Sequence, residues 1–427
     1  MDFIMTNHLK RTYVSLMLSP FFSQIGSAIY VLGLNWLIVK STGTTQLLGI
    51  IEGIGGFAFL IGDLLVGLLV DQHNRKYVLI WTDIIATLVC VVSSFLINNN
   101  TPQIWLLILI TFILNLMLAL NYPAAKSIVP EVINGNYLQK FNALSNTFFG
   151  LANIIAPVIG GVLLAINGID FSEFILINAA SYFIALFFNL LITYQPTPSV
   201  KNHQSESFLI STISGFKYVL EHKKLLLYMT SMGIFNFVCA GFLLTTPYIS
   251  SHYFSKITSS YSLFLICAAV GGLVGGLWLT VQKQKISSNR IFAEQICYGI
   301  ILILGSLKFS IYSWIIIALV YGLIQSRFFG SMITFIQEET DISFLGRIFG
   351  LTFLFFDGIQ PVGSFIFGFF VSTWGSWTYS VLGSLTLSLF GLIYFLTVKL
   401  LNDYSKVFYI NLKCFKPSKT PLSVFAT

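Results

Sequence analysis

The sequence predicts an all-α integral membrane protein whose twelve transmembrane helices form two halves of six. The first observation is composition: of 427 residues, 56% are hydrophobic and only 9% are charged. Soluble domains carry about 25% charged residues, so this chain has too few to cover a surface that faces water. The second observation is the length of the apolar runs, about 20 residues, which fits spanning helices and exceeds the strands of a β-barrel. The third is the placement of the Lys and Arg residues between those runs.

The apolar runs are assigned as twelve spans in chain order. They cover residues 13–39, 46–70, 77–97, 103–121, 146–166, 171–193, 225–248, 261–282, 291–307, 311–335, 347–370 and 377–399. The longest polar stretch between spans, YQPTPSVKNHQSES, follows the sixth span and separates two sets of six. The next residues, FLISTISGFKYVLEHKKL, have the spacing of an amphipathic helix, which we expect to lie on the membrane surface. The predicted organisation is an N-terminal bundle (1–193), a cytoplasmic linker with that helix (194–224), a C-terminal bundle (225–400) and a basic cytoplasmic tail (401–427).

The bases predict the orientation of the spans. With the N-terminus inside, 19 of the 23 Lys and Arg residues fall in inner connections and ends, three fall in outer loops and one lies inside a span. Because the inner loops of membrane proteins are enriched in bases, we expect both termini in the cytoplasm. The net charge of +7 therefore reflects orientation, and we expect no nucleic-acid partner.

Two six-span halves around a long inner loop are typical of a transporter whose halves rock about a site near the midplane. No filter-like repeat favours a channel, and no P-loop, Ser/His/Asp set or His/Cys cluster favours an enzyme. The five cysteines have no paired or metal-like spacing, so we expect no metal and no cofactor. The expected partners are a small-molecule substrate, protons and membrane lipid, and the expected state is a monomer.

A charged motif, GLLVDQHNRK, lies between the second and third spans. It resembles the signature of the major facilitator superfamily. The matching positions are Gly67, Leu69, Asp71, Arg75 and Lys76, whereas Gln72 and Asn74 differ from the usual residues. The resemblance implies that Asp71 faces the start of the eleventh span, at Gly346 and Arg347. A carboxylate is favoured at a helix N-terminus, so the motif is predicted to latch the two halves on the inner side, with Arg75 and Lys76 reinforcing it. A solvated turn, with bases that only set the orientation, is the alternative.

Further segments narrow the resemblance to the macrolide-efflux and siderophore-exporter branch of that superfamily. They are residues 121–164, SGFKYVLEHKKLLLYM before the seventh span and QEETDISFLGRIFGL before the eleventh, so the likeness covers about residues 10–400. Pro157, Gly160 and Gly161 resemble the end of the fifth-helix motif of antiporters, with Ala156 where a Gly is usual. The proline can kink the helix and the glycines permit close packing, which is the alternative reading of the motif. The fourth span carries no charge, so a proton relay built on an Arg there is not expected.

Ionisable residues within the spans are the candidate proton-coupling or substrate residues, because each one costs several kcal/mol in a bilayer. Asp357 lies about ten residues into the eleventh span, close to the midplane, and we expect it to carry a proton. Arg327 in the tenth span needs an acid, a carbonyl or an anionic substrate; Asp357 is a possible partner, and snorkelling is the alternative. Asp63 and Asp83 lie nearer the inner surface and suit packing, gating or proton transfer. Glu52, in the outer half of the second span, can line the exit path.

The residues and the resemblance together predict a secondary active exporter in a bacterial cytoplasmic membrane. We expect inward proton flow to drive outward movement of a small amphipathic or acidic molecule, such as a siderophore or an antibiotic-like compound. Arg327 favours a substrate that bears carboxylates, whereas Glu294, at the mouth of the ninth span, is expected to be solvated. A lipid transporter of the same fold, for instance for lysophospholipid, and a non-transporting membrane sensor or scaffold are the alternatives.

Overall fold

Thirteen α-helices account for most of the chain that the computed structural model describes, which comprises residues 7–69, 74–98, 102–133, 135–166, 168–194, 208–257, 259–282, 286–341 and 344–414. They are α1 (Asn7–Thr42), α2 (Gln46–Leu69), α3 (Arg75–Leu96), α4 (Ile104–Val132), α5 (Gly135–Ala165), α6 (Phe171–Leu191), α7 (Phe208–Glu221), α8 (Lys223–Tyr253), α9 (Ser260–Val281), α10 (Ser288–Leu307), α11 (Ile311–Glu339), α12 (Leu345–Trp374) and α13 (Thr378–Cys414). No strand occurs in these ranges, so the predicted all-α fold class is confirmed.

Most of these helices are suited to a membrane. Nine helical stretches of the described chain are long and apolar enough to cross one, and the longest of them, Gly358–Val398, runs through α12 into α13. Two shorter apolar stretches, Gln46–Gly62 and Gly150–Ala165, belong to α2 and α5. The exact number of twelve crossings therefore stays a prediction, whereas the multi-pass helical architecture is established.

Several helices extend well beyond the apolar runs from which they were predicted. Helix α4 continues to Val132 and α5 begins at Gly135, so the fourth and fifth spans are joined by a much shorter connection than predicted. Helix α13 continues to Cys414, into the segment assigned as the tail. Hydrophobicity ends where the bilayer ends, but backbone hydrogen bonding does not, so polar helical turns can project past the membrane.

The helices pack as two groups. Helices α1 to α6 contact mainly one another, and α8 to α13 do the same, while the contacts between the groups are chiefly α2 with α12, α5 with α9 and α1 with α8. The α2–α12 approach is close enough that a Cβ on Gly49 would lie 2.7 Å from the Cα of Gly368. Small residues allow such backbone contact between helices in a membrane, where burial of apolar surface no longer drives association.

The short helix α7 docks on the first turns of α12. The hydroxyl of Ser214 accepts a 2.9 Å hydrogen bond from Arg347, and the ring of Tyr218 stacks on Phe344 with centroids 4.4 Å apart. The Tyr218 hydroxyl also bonds both the backbone N–H and the carboxylate of Asp341, at 3.1 Å each. The predicted amphipathic helix is thus present, and it is anchored by polar and aromatic contacts to the connection between α11 and α12.

Candidate functional site

A cavity of about 540 Å³ lies between the two helix groups. Its walls come from α1, α2, α4 and α5 on one side and from α8, α9 and α12 on the other. Apolar and aromatic side chains dominate the lining, and hydroxyl and amide groups such as Ser27, Thr111 and Asn115 interrupt it. Apolar walls with a few convergent polar groups are typical of a small-molecule site.

Glu52 is the ionisable acid in the lining of this cavity, and no Lys, Arg or His of the described chain shares the lining. One carboxylate oxygen accepts a 2.9 Å bond from the Ser364 hydroxyl of α12, and the other accepts a 3.4 Å bond from the Asn35 amide of α1. The Asn35 amide also lies 3.5 Å from the hydroxyl of Tyr261 on α9. Glu52 therefore belongs to a polar cluster that joins both helix groups without a cation.

Further contacts extend this cluster into what we call the outer seam, at the end of the molecule that the bases predict to be outer. It consists of the Glu52–Asn35–Tyr261–Ser364 cluster, a 2.9 Å bond from the Thr45 hydroxyl to the Gly368 carbonyl, and the contact of Gly161 with Ser262. The bonds Ser364–Glu52, Asn35–Tyr261 and Thr45–Gly368 and the Gly161–Ser262 contact each link the first helix group to α9 or α12. Transport by rocking halves would have to open this seam.

The fifth-helix motif lies at the same interface. Pro157 lines the cavity, and a Cβ on Gly160 would lie 2.8 Å from a methyl group of Leu32 on α1. A Cβ on Gly161 would lie 2.5 Å from the Cβ of Ser262, so only a hydrogen fits between α5 and α9 at this point. Both glycines are thus sites of close packing, which is the alternative reading of the motif, and for Gly161 the packing partner belongs to the opposite helix group.

The bases of the charged motif bind groups within their own half. Arg75 forms an ion pair with Glu131 at the end of α4 and donates a 3.2 Å bond to the Ser127 carbonyl. Lys76 donates to the carbonyls of Leu190 and Ile192, at 3.1 and 2.7 Å, where a cation satisfies the last turn of α6.

One departure from the superfamily motif has a structural role. The side chain of Asn74 caps α3 by accepting a 3.0 Å bond from the Lys76 amide. Asparagine is among the preferred residues at such a helix start, so the replacement of the usual glycine also fixes where α3 begins.

Asp83 lies outside the cavity, buried among α3, α4 and α6. Its two oxygens accept bonds from the amides of Asn121, at 3.0 Å, and Asn189, at 2.6 Å. These donors are neutral amides of the same half, whereas Arg75 forms an ion pair with Glu131. Asp83 therefore fastens three helices of the first half.

Arg327 also lies apart from the cavity, and its partner is an acid, one of the three kinds of partner that the sequence allowed. Its guanidinium is 1% exposed and binds both carboxylate oxygens of Glu294 on α10, at 2.9 and 2.7 Å. Trp278 on α9 covers it, with the guanidinium carbon 4.5 Å from the ring centroid. Glu294 is therefore no solvated group at a helix mouth, and Arg327 neither snorkels to the surface nor faces a substrate in the cavity.

Other candidate residues cannot be placed as fully. Asp71 lies outside the described residues, as do the side chains of Asp63 on α2 and Asp357 on α12. Asp357 comes one turn before Pro361, which lines the cavity. The backbones of Gly67 and Gly346 lie near the end of α2 and at the start of α12, respectively.

Sequence reasoning missed Asn35, Tyr261 and Ser364, the partners of Glu52. An asparagine inside the first apolar run was a signal, because a buried amide needs partners. Nothing in the sequence marked Tyr261 or Ser364 among the many tyrosines and serines near span ends.

Two helix bundles that enclose a cavity between them, with a carboxyl group in its wall, define this protein as a membrane transporter. The family model of the Major Facilitator Superfamily matches residues 16–364, and the chain belongs to that superfamily.

The chain is similar to curated proteins of the branch that the sequence resembles. It is 22% identical over 375 residues to macrolide efflux protein A of Streptococcus pyogenes, covering 86% of this chain and 91% of that protein. It is 23% identical over 388 residues to the staphyloferrin A transporter of Staphylococcus aureus, covering 90% and 95%. Among solved structures it resembles a point mutant of the nucleoside transporter NupG, with a TM-score of 0.74, 14% identity, and coverage of 90% and 98%. At this identity, the similarity to NupG shows a shared fold only.

Proposed function

We propose that this chain is a secondary active exporter of a bacterial cytoplasmic membrane, with both termini inside, that moves a small amphipathic molecule outward in exchange for protons. Membership of the superfamily and the efflux names of its relatives support this proposal. The observation that carries it is the position of Glu52, a carboxyl group shared by the cavity wall and the outer seam.

Proton coupling follows from the cost of closing the seam around a charge. An ionised carboxylate is costly to enclose without a cation, whereas a neutral carboxyl bonded to Ser364 and Asn35 is not. Protonation of Glu52 from outside therefore favours the state in which the outer seam is closed. Release of that proton toward the inner side then favours reopening once substrate is bound. Asp357 remains a second candidate carrier on α12.

The inner side would close through the charged motif. Helices α2 and α12 run antiparallel, with Gly49 beside Gly368, Gly56 beside Pro361 and Leu60 beside Gly358. Continued toward the inner end, this register brings position 71 level with the first turn of α12. A carboxylate from Asp71 would be stabilised there by the helix dipole, and it would join the halves when the outer seam is open.

The described lining of the cavity favours an amphipathic substrate. Arg327 does not line the cavity, because it forms an ion pair with Glu294, so it does not bind an acidic substrate there. Macrolides and staphyloferrin A, named for the relatives, are the first compounds to test.

The decisive experiment measures uptake of radiolabelled erythromycin and staphyloferrin A into inside-out vesicles, with and without a protonophore. We expect gradient-driven uptake of at least one compound by the wild-type protein. Glu52→Gln, which mimics a permanently protonated carboxyl, should reduce that uptake about tenfold or more while leaving substrate exchange across the membrane intact. Glu221→Gln, at an exposed acid of α7, is the matched control and should transport normally.

Three results would contradict the proposal. Uptake that persists after collapse of the proton gradient removes the proton coupling. Full gradient-driven uptake by Glu52→Gln removes Glu52 as its carrier and turns attention to Asp357→Asn. If the protein moves a fluorescent lysophospholipid across the membrane and takes up neither compound, it is a lipid transporter of the same fold.

A further inference from the structure

A second, smaller cavity of about 70 Å³ lies between α1, α4 and α5. Its walls are apolar and aromatic, and Phe21 and Phe148 meet edge to face within them, with ring centroids 5.3 Å apart. Tyr122 and Lys126 complete the lining. We refer to this cavity as the inner-mouth pocket, because it lies at the end of the molecule that the bases predict to be cytoplasmic.

The inner-mouth pocket lies on the same three helix faces as the central cavity. On α4, Thr111, Asn115 and Leu118 line the central cavity, and Tyr122 and Lys126 continue that face by two further turns. On α1 the same continuation leads from Gln24 to residues 20 and 21, and on α5 it leads from Asn153 to residues 148 and 145. A molecule that moves from the cytoplasm to the central cavity along these faces passes the pocket first.

Lys126 gives the pocket its chemical character. Its ammonium lies 5.6 Å from the centroid of the Tyr122 ring, both side chains are exposed, and Tyr122 is 48% exposed. Within the part of the chain that the structure describes, no carboxylate forms an ion pair with Lys126. An exposed cation beside aromatic walls complements an acid that carries an apolar group.

We propose that the inner-mouth pocket is a loading subsite that binds the acidic group of an amphipathic substrate through Lys126 and its apolar group against Tyr122 and Phe148. This inference rests on the proposed function, because loading from the inner side presupposes export. The proposal again favours a substrate with an acidic group, but for a reason independent of Arg327. The base that binds this group is Lys126, which lies between the cytoplasm and the cavity that contains Glu52.

The test compares two probes with the same ring and opposite charge, benzenesulfonate and benzylammonium, on the full-length protein in phosphatidylcholine nanodiscs. Saturation-transfer NMR titrations give the affinity of each. We expect benzenesulfonate to bind more tightly than benzylammonium. Lys126→Met should weaken sulfonate binding about fivefold, the value of a partly exposed ion pair, without weakening ammonium binding. Lys126→Arg should keep the sulfonate affinity, and Tyr122→Ala should weaken both probes.

The matched controls are Lys40→Met and Tyr312→Ala, which remove an exposed lysine and an exposed tyrosine far from this pocket, and both should bind the probes normally. Equal binding of the two probes by the wild-type protein, no sulfonate binding at all, or unchanged sulfonate binding by Lys126→Met would overturn the proposal. Displacement of benzenesulfonate by phosphatidylglycerol added to the nanodisc would assign the pocket to anionic lipid instead. Because equilibrium binding needs no proton gradient, these results are independent of whether export is proton-driven.

Discussion

Single polar side chains inside the helix bundles find their partners on neighbouring helices. Asp83 is satisfied by two amides from α4 and α6, whereas Arg327 is satisfied by a carboxylate from α10. Sequence position indicated that each of these groups needs a partner, because an unpaired charge in a bilayer is costly. It could not indicate which partner, because the choice depends on the register between helices far apart in the chain.

The Arg327–Glu294 pair gives a prediction about stability. Glu294→Gln leaves a buried guanidinium without its counter-charge and should destabilise the protein by on the order of 3 kcal/mol. Arg327→Met combined with Glu294→Met should recover most of that loss, because no buried charge remains. Arg290→Gln is the control, since Arg290 is half exposed and lies 3.6 Å from the same carboxylate, and it should cost little.

Thermal unfolding in detergent, followed by the fraction of protein that stays monodisperse, compares the wild-type protein with these three variants. A Glu294→Gln protein as stable as Arg290→Gln would show that the pair contributes nothing. A double variant no more stable than Glu294→Gln would show that packing, and not the lone charge, causes the loss.

At the scale of the helix, the surface helix α7 is attached to the start of α12 by aromatic and polar contacts. The rings of His222 and Phe344 both stack on Tyr218, with centroids 4.0 and 4.4 Å away, and the guanidinium carbon of Arg347 lies 5.4 Å from the centroid of the Phe344 ring. The exposed face of α7 carries Ile213, which is 66% exposed and suits the membrane surface. Because α12 also contributes Ser364 to the outer seam, α7 is attached to a helix that takes part in that seam.

Removing one hydroxyl tests this attachment. Tyr218→Phe keeps the stacking but loses both bonds to Asp341, at about 1 kcal/mol each, so the amides of α7 should exchange with solvent about tenfold faster or more. Hydrogen exchange followed by mass spectrometry of residues 208–221 measures the change. Tyr312→Phe, at a tyrosine that is 77% exposed, is the control. Unchanged exchange in Tyr218→Phe would mean that stacking alone holds the helix.

The helices themselves were predictable and their ends were not. Apolar length identified all the long helices, since a bilayer sets the minimum span, and amphipathic spacing identified α7. The extensions of α4, α5 and α13 mix apolar residues with polar residues or prolines, so no continuous apolar run marks them. In the same way Glu52 was identified as a residue of the exit path, but its bonds to Asn35 and Ser364 required the packing of α1 and α12 against α2.

At the scale of the whole molecule, the outer seam joins the two halves beside the cavity. Glu52 and Gly161 both lie in it, so one interface combines substrate space, close packing and a titratable group. A protein that alternates between two states must separate these surfaces completely, because interfaces packed at backbone distance have no intermediate arrangement. Whether the outer seam is open or closed should therefore control transport.

A disulfide across the seam tests that conclusion directly. Gly161 and Ser262 come from opposite halves, and a Cβ on Gly161 would lie 2.5 Å from that of Ser262, so a shift of about 1 Å brings a cysteine pair to disulfide geometry. In a background without the five native cysteines, oxidised Gly161→Cys/Ser262→Cys protein should lose about nine-tenths of its efflux and recover it with a reductant. The matched pair Gly26→Cys/Ser181→Cys is also a glycine opposite a serine, with 2.4 Å between the two Cβ positions; it joins α1 to α6 within one half and should leave efflux unchanged when oxidised. Because the halves must separate only at the first pair, normal efflux by its cross-linked form would show that α5 and α9 move together and that the seam opens elsewhere, between α2 and α12.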